Sequence, residues 1–234
     1  MAELEQPVTA EGSSGADPTP GAEAEGYMLR GVVGVRGHER ALAKLAVSSE
    51  DELIEHRGLA ALIHVVPYRL PEWNPDSIRE HSGTIERAMR RCTVVPAPYG
   101  IVFREREQVI EFLEDQHVAL EEALAYLDGA FEMRLHIQPS ARRPEASEGE
   151  QSDRAATFYT ALRRRSRAAF TLPPSETRVL SAAFLVNRGD WVSFVEYVDE
   201  LDAENPEFKF DLTGPWPPYD FVRMTFLPRE FPGE

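Results

Sequence analysis

Near its C-terminal end the chain carries Leu212-Thr213-Gly214-Pro215-Trp216-Pro217-Pro218-Tyr219-Asp220-Phe221, the stretch that leaves its backbone the fewest choices. Pro215, Pro217 and Pro218 fix their own φ and push each preceding residue toward extended geometry, while Gly214 is free to take a positive φ. The segment therefore reads as a stiff, shaped turn. Phe208, Phe210 and Leu212 alternate before it, and Asp220, Val222, Met224 and Phe226 alternate after it. This periodicity predicts two half-buried strands joined by a rigid Pro-rich turn.

A chain of 234 residues can bury one large core or two small ones. Its formal net charge of −15 makes phosphate backbones and anionic membrane surfaces poor partners, so neither nucleic acid nor membrane is expected. The single cysteine, Cys92, allows no intramolecular disulfide and no cysteine-based zinc site, which fits a reducing compartment. No run reaches the roughly twenty apolar residues of a membrane span, and the first residues lack the basic start and apolar core of a signal peptide. A soluble, cytoplasmic protein is expected.

Residues 1–26 hold Glu3, Glu5, Glu11, Asp17, Glu23 and Glu25, no basic side chain and little apolar surface, the composition of a disordered acidic tail. Residues 27–137 read as a first α+β domain. Tyr27 to Val35 and Gly58 to Pro67 are apolar strands, His38 to Val47 is a short helix, and Asp76 to Arg91 is a helix capped by Asp76 or Ser77 with Ile78, Ile85, Ala88, Met89 and Cys92 on its inner face. Pro96 and Pro98 cannot donate to a ladder, so the strand near them belongs at a sheet edge or begins after Pro98. Glu105 to Leu127 reads as one long amphipathic helix striped by Val109, Leu113, Leu120, Leu124 and Leu127, closed by Gly129. Phe131 to Ile137 then alternates as a strand.

Residues 138–152 have almost no apolar content and mark a linker, with a second α+β domain over 153–228 and a tail over 229–234. That second domain opens with a helix from Asp153 to about Ala169, on which Arg163, Arg164, Arg165 and Arg167 crowd together. The cluster reads either as a solvated helix face or as a docking patch for an acidic partner. An apolar strand, Val179 to Val186, and a helix, Asp190 to Leu201, with Trp191, Phe194, Val195, Val198 and Leu201 inward, lead back to the Pro-rich segment.

Residues 212–221 resemble the LTGPWPPYSF-like signature of the gas vesicle protein L/F family, with Asp220 where a Ser is common. The family motif positions in this chain are Leu212, Thr213, Gly214, Pro215, Trp216, Pro217, Pro218, Tyr219 and Phe221, together with Pro96, Tyr99, Gly100 and Phe103 of an upstream segment similar to the family's LPLRFGTVF. In that segment Ala97, Pro98 and Tyr99 replace the usual central residues, a frequent Arg among them. The resemblance spans about residues 27–227 and implies two α+β domains, the first a modified ferredoxin-like fold. It also implies an accessory protein of gas vesicle assembly, a structural and interaction protein located at the gas vesicle. Its partners would be the small hydrophobic shell subunit and other accessory proteins. Two other readings stand beside it: a family member recruited as a scaffold outside gas vesicles, and a small α+β enzyme. The glycines Gly31, Gly34 and Gly37 have the wrong spacing for a dinucleotide loop, and the chain has no G-x-S-x-G elbow, phosphate loop, HExxH pair or cysteine metal set. No catalytic residue, metal site or cofactor is assigned.

Overall fold

The computed structural model describes residues 24–37, 51–69, 71–140, 147–175, 177–222 and 224. The leader up to residue 23, the expected helix His38–Val47 and the tail 229–234 lie outside the described residues.

The architecture is α+β, with two antiparallel sheets. The first runs β2-β3-β1-β4, with β1 at Glu25–Gly34, β2 at Asp51–His56, β3 at Leu59–Pro67 and β4 at Val94–Pro96; a short β5, Val102–Phe103, also pairs with β1. The second runs β7-β8-β6-β9, with β6 at Ala130–Pro139, β7 at Ala168–Thr171, β8 at Leu180–Asn187 and β9 at Phe208–Trp216. The helices are α1 (Pro75–Met89), α2 (Arg106–Asp115), α3 (His117–Leu127), α4 (Glu148–Arg163) and α5 (Trp191–Glu204). No described helix is long and apolar enough to cross a membrane.

Strands β1 and β3 are mostly apolar because helices cover both faces of their sheet. Leu29, Val32, Ala61 and Ile63 pack against Val109, Leu113, Leu120 and Leu127 of α2 and α3. On the opposite face Val33, Ala60, Leu62 and Val94 pack against Ile85, Ala88 and Met89 of α1. The first sheet is thus covered on both faces. In the second sheet α4 and α5 both sit on one side, that of Met133, Leu135, Ile137, Ala182, Phe184 and Val186.

Strand β6, read from sequence as the last strand of the first domain, instead lies inside the second sheet, between β8 and β9. Within 138–152, Gln138 and Pro139 close β6, residues 141–146 lie outside the described residues, and α4 begins at Glu148. The two halves also share a core: Ala130 and Leu185 of the second sheet join the cluster of Leu29 and Val32. Arg188 Nη2 donates to the Met89 carbonyl at 2.6 Å, and Arg167 Nη1 to that of Tyr126 at 2.5 Å.

Several local expectations are corrected. Helix α1 is capped by Asn74, whose side chain accepts from Ser77 N, not by Asp76 or Ser77. Ile78 and Trp191, expected to face inward, are 37% and 36% exposed. The 105–127 helix is divided at Gln116 into α2 and α3. Helix α4 stops at Arg163, and Ala168 to Thr171 pair with β8 as a strand. Finally, among the described residues the Pro-rich segment does not join two strands, and Phe226 of the second expected strand lies outside them. Strand β9 runs through it to Trp216, and a single 3-10 turn, Tyr219–Phe221, follows.

Candidate functional site: the C-terminal clamp

Strand β9 alternates as its sequence predicts, with Phe208, Phe210 and Leu212 against the second core. Its pairing with β6 then slips: Thr213 lies opposite Arg134 and Trp216 opposite Glu132, so Gly214 and Pro215 form a bulge. Gly214 has φ +126°, and a Cβ there would meet the Glu132 carbonyl oxygen at 2.8 Å and Met133 Sδ at 2.9 Å. Only glycine fits this approach. Beyond the bulge the Trp216 side chain is turned outward, 38% exposed, with its indole Nε1–H donating to Thr213 Oγ1 at 3.2 Å. Pro217 and Pro218 are the buried members of the motif, and Tyr219 packs half-buried beside the α1 face of the first sheet.

The 3-10 turn brings Asp220 onto the polar face of β6. Its backbone N–H donates to Glu132 Oε2 at 2.8 Å, and its carboxylate accepts from Arg134 at 2.9 Å. Arg134 Nε also donates to Glu132 Oε1 at 2.6 Å. Glu132 is fully buried. Two carboxylates thus share one guanidinium, which leaves one negative charge in excess when both are ionised, with Glu132 itself shut off from solvent. Burial pushes the Glu132 carboxyl up from 4.5 to about 7, and the neighbouring Asp220 carboxylate adds to this, against the opposing pull of the Asp220 N–H and Arg134. The cluster binds the segment after β9 to the strand at the centre of the second sheet. It also sets Phe221 against Phe170, ring centroids 4.9 Å apart, and against the core of the first sheet.

A carboxyl whose folded pKa lies above its unfolded value binds more protons in the folded state, so its contribution to stability falls as pH rises from 4.5 to about 7. Asp220→Asn removes the second carboxylate and should flatten this slope relative to the unmodified protein, read from urea midpoints across that range. An unchanged slope would contradict the shared-guanidinium arrangement.

Sequence alone did not single out this cluster. Glu132 and Arg134 occupy the polar positions of an alternating strand, which normally face water, and Asp220 stood out only as a departure from the family signature. The upstream motif lies elsewhere but reaches the same core. Pro96 is buried in β4, Gly100 has φ +96°, and Phe103 in β5 stacks 5.6 Å from Phe112 and packs against the cluster that also receives Phe221. Tyr99 donates its hydroxyl to the Glu72 carbonyl at 3.0 Å.

All four arginines of the cluster, Arg163, Arg164, Arg165 and Arg167, are exposed, and two of them are also engaged within the chain. Arg165 lies over the Tyr197 ring with Cζ 3.7 Å from its centroid, and Arg167 donates to Asn187 Oδ1 as well as to Tyr126. Arg163 and Arg164, at the end of α4, are exposed.

The family model described as "Gas vesicle synthesis protein GvpL/GvpF" matches residues 35–147 and 135–223, covering both halves of the fold and the clamp. The chain belongs to the GvpL/GvpF family. Gas vesicle protein L of Streptomyces sp. (strain CB03234) is 28% identical over 220 residues, covering 73% of this chain and 82% of that protein. Gas vesicle protein F1 of Halobacterium salinarum (strain ATCC 700922 / JCM 11081 / NRC-1) is 23% identical over 176 residues, covering 72% of this chain and 79% of the relative. Two crystal structures of GvpF share the fold. That from Anabaena sp. PCC7120 superposes with a TM-score of 0.75 at 16% identity, covering 89% of this chain and all of that one (100%). That from Microcystis aeruginosa gives 0.69 at 15% identity, covering 85% and 99%. As a GvpL/GvpF member the chain is a gas vesicle accessory protein.

Proposed function

We propose that this protein serves gas vesicle assembly by binding the small hydrophobic shell subunit, together with other accessory proteins, in the cytoplasm and at the growing vesicle. Binding would cover an aggregation-prone apolar subunit until it adds to the shell. The observation that carries this reading is Trp216, a large aromatic held outward by a glycine bulge and a buried ionic cluster. A rigid, half-exposed tryptophan is the kind of side chain that anchors a protein interface at low entropic cost. Two further surfaces join it as candidates: the solvent side of α3, which presents Val118 and Tyr126, and Arg163 and Arg164 at the end of α4, which suit an acidic accessory partner. The reading assigns the two sheets to two structural units, with the clamp fastening the second to the first.

Trp216→Ala tests the anchor. The variant should keep the far-ultraviolet dichroism and melting temperature of the unmodified protein while its affinity for the shell subunit falls at least tenfold, the loss of roughly 1.4 kcal/mol that marks an interface hot spot. Unfolding of the variant, or unchanged affinity, would remove Trp216 from the interface.

A further inference from the structure

A second polar site lies in the first sheet, remote in sequence from the clamp and unused by it. Strand β1 pairs with β3 in register as far as Leu29 opposite Ile63, then resumes with Gly31 opposite Leu62. Arg30 is the extra residue of this bulge, the kind of irregularity that re-aims a side chain. Its side chain is 1% exposed and lines a cavity of about 210 Å³ on the α1 face, just beyond the start of that helix. Nη2 donates to Glu80 Oε1 at 2.8 Å, whereas Nε and Nη1 are buried without a hydrogen-bond partner. A guanidinium held in this way bears an uncompensated desolvation cost, which an incoming acceptor would relieve.

Further features define what the cavity accepts. Asn74 and Ser77, at the N-terminus of the fifteen-residue helix α1, line it and add the positive end of the helix dipole. The lining charges balance on paper, Arg30 and Arg69 against Glu72 and Glu80, but they are not equally screened. Glu80 is 61% exposed and Glu72 also faces solvent, while Arg30 is enclosed, so its field dominates inside. His81, close by, is held neutral, its pKa lowered to about 4 by burial, and its Nε2 is engaged with the Ala97 carbonyl at 3.0 Å, so it adds no second cation. The volume is below the range of about 300–1,000 Å³ usual for small-molecule sites, yet sufficient for one side chain. Tyr99 lines the cavity beside the apolar Met28, Val66, Pro67 and Pro71, and Trp73, 74% exposed, stands edge-on to Tyr99 at 5.5 Å.

We infer that this cavity receives an acidic side chain of a partner polypeptide, its carboxylate accepting from Arg30 and its apolar flanks resting on Trp73. A small cavity beside an exposed tryptophan fits a residue presented on a chain better than a free carboxylate, which would leave the indole in water. The site is independent of Trp216, so its failure would leave the shell-binding reading untouched.

The test uses the full-length protein and a blocked peptide, Ac-Ala-Leu-Glu-Leu-Ala-NH₂, with its Gln counterpart and free glutarate for comparison. Binding is followed through the Trp73 indole N–H resonance, assigned by its loss in Trp73→Phe. The Glu peptide should shift this resonance saturably and bind at least tenfold more tightly than the Gln peptide, and Arg30→Met should abolish the preference. Glu80→Gln alters an exposed side chain and releases Arg30 from its one carboxylate partner, so it should tighten the Glu peptide at least threefold without affecting the Gln peptide, a result that does not depend on the folding of Arg30→Met. Equal binding of the two peptides, absence of binding, or no gain in Glu80→Gln would overturn the proposal. So would glutarate binding as tightly as the Glu peptide, which would make this a small-carboxylate site.

Discussion

Arg134→Met is expected to destabilise the protein by about 3 kcal/mol at pH 8, and by clearly less at pH 5. Among the described residues Arg134 is the cation that bridges Glu132 and Asp220, and its removal leaves a fully buried carboxylate facing a second one. Breaking a buried ion pair from one side costs about 3–5 kcal/mol, and the lower end applies because Arg134 is 35% exposed. The pH dependence has a definite sign. Without the guanidinium the Glu132 pKa rises above its present value of about 7, so at pH 5 the carboxyl takes up a proton and most of the penalty disappears. Urea unfolding of the variant and the unmodified protein at both pH values measures this. An equal loss at pH 5 and pH 8 would mean that Arg134 acts through packing, not charge.

Gly214→Val should have an effect of similar size by a different route. A β-branched residue at φ +126° is strained by about 1–3 kcal/mol, and its Cβ meets a backbone oxygen at 2.8 Å, an overlap that adds a further 1–3 kcal/mol. A total of about 3 kcal/mol or more is expected, together with displacement of Trp216 and loss of whatever it anchors. Gly129→Ala provides the comparison. Gly129 also has a positive φ, +68°, but a Cβ there meets nothing within 4 Å, so only the conformational cost of about 1 kcal/mol applies. Equal losses in the two variants, measured by thermal unfolding, would show that the close approach to Glu132 carries no weight.

The sequence disclosed the elements whose patterns are unmistakable. Strands β1 and β3 declare themselves as apolar runs, and β8 does so through Ala182 to Val186, buried from every side. What escaped was polar, short or tertiary. Strand β2 carries Asp51, Glu52 and Glu55 because it is an edge strand, and the Arg57-Gly58 turn to β3, both residues at positive φ, was its available signal. The start of α4 was marked by a capping box, Ser147 and Glu150, inside a stretch whose low apolar content suggested a linker. No Pro or Gly interrupts residues 106–127, so the break at Gln116 leaves no trace in the periodicity.

The Pro-rich segment shows the same limit. Its rigidity is legible, but its direction is not, because the bulge that carries β9 through it is set by contact with Glu132 and Met133, more than eighty residues away in sequence. The clamp was hidden for the same reason. Glu132 and Arg134 look like solvent-facing members of an alternating strand until the 3-10 turn lays Asp220 across them. Tertiary placement, not local pattern, makes them a site.

The binding of the gas vesicle shell subunit proposed for this GvpL/GvpF chain is measured by a pull-down. The full-length protein, purified under reducing conditions, is presented with the host's small hydrophobic shell subunit and, in parallel, with an unrelated amphipathic helical protein. Retention of the shell subunit alone, weakened by Trp216→Ala, is the predicted result. No retention, or equal retention of the control, would contradict the account and favour a scaffold that has left gas vesicle assembly.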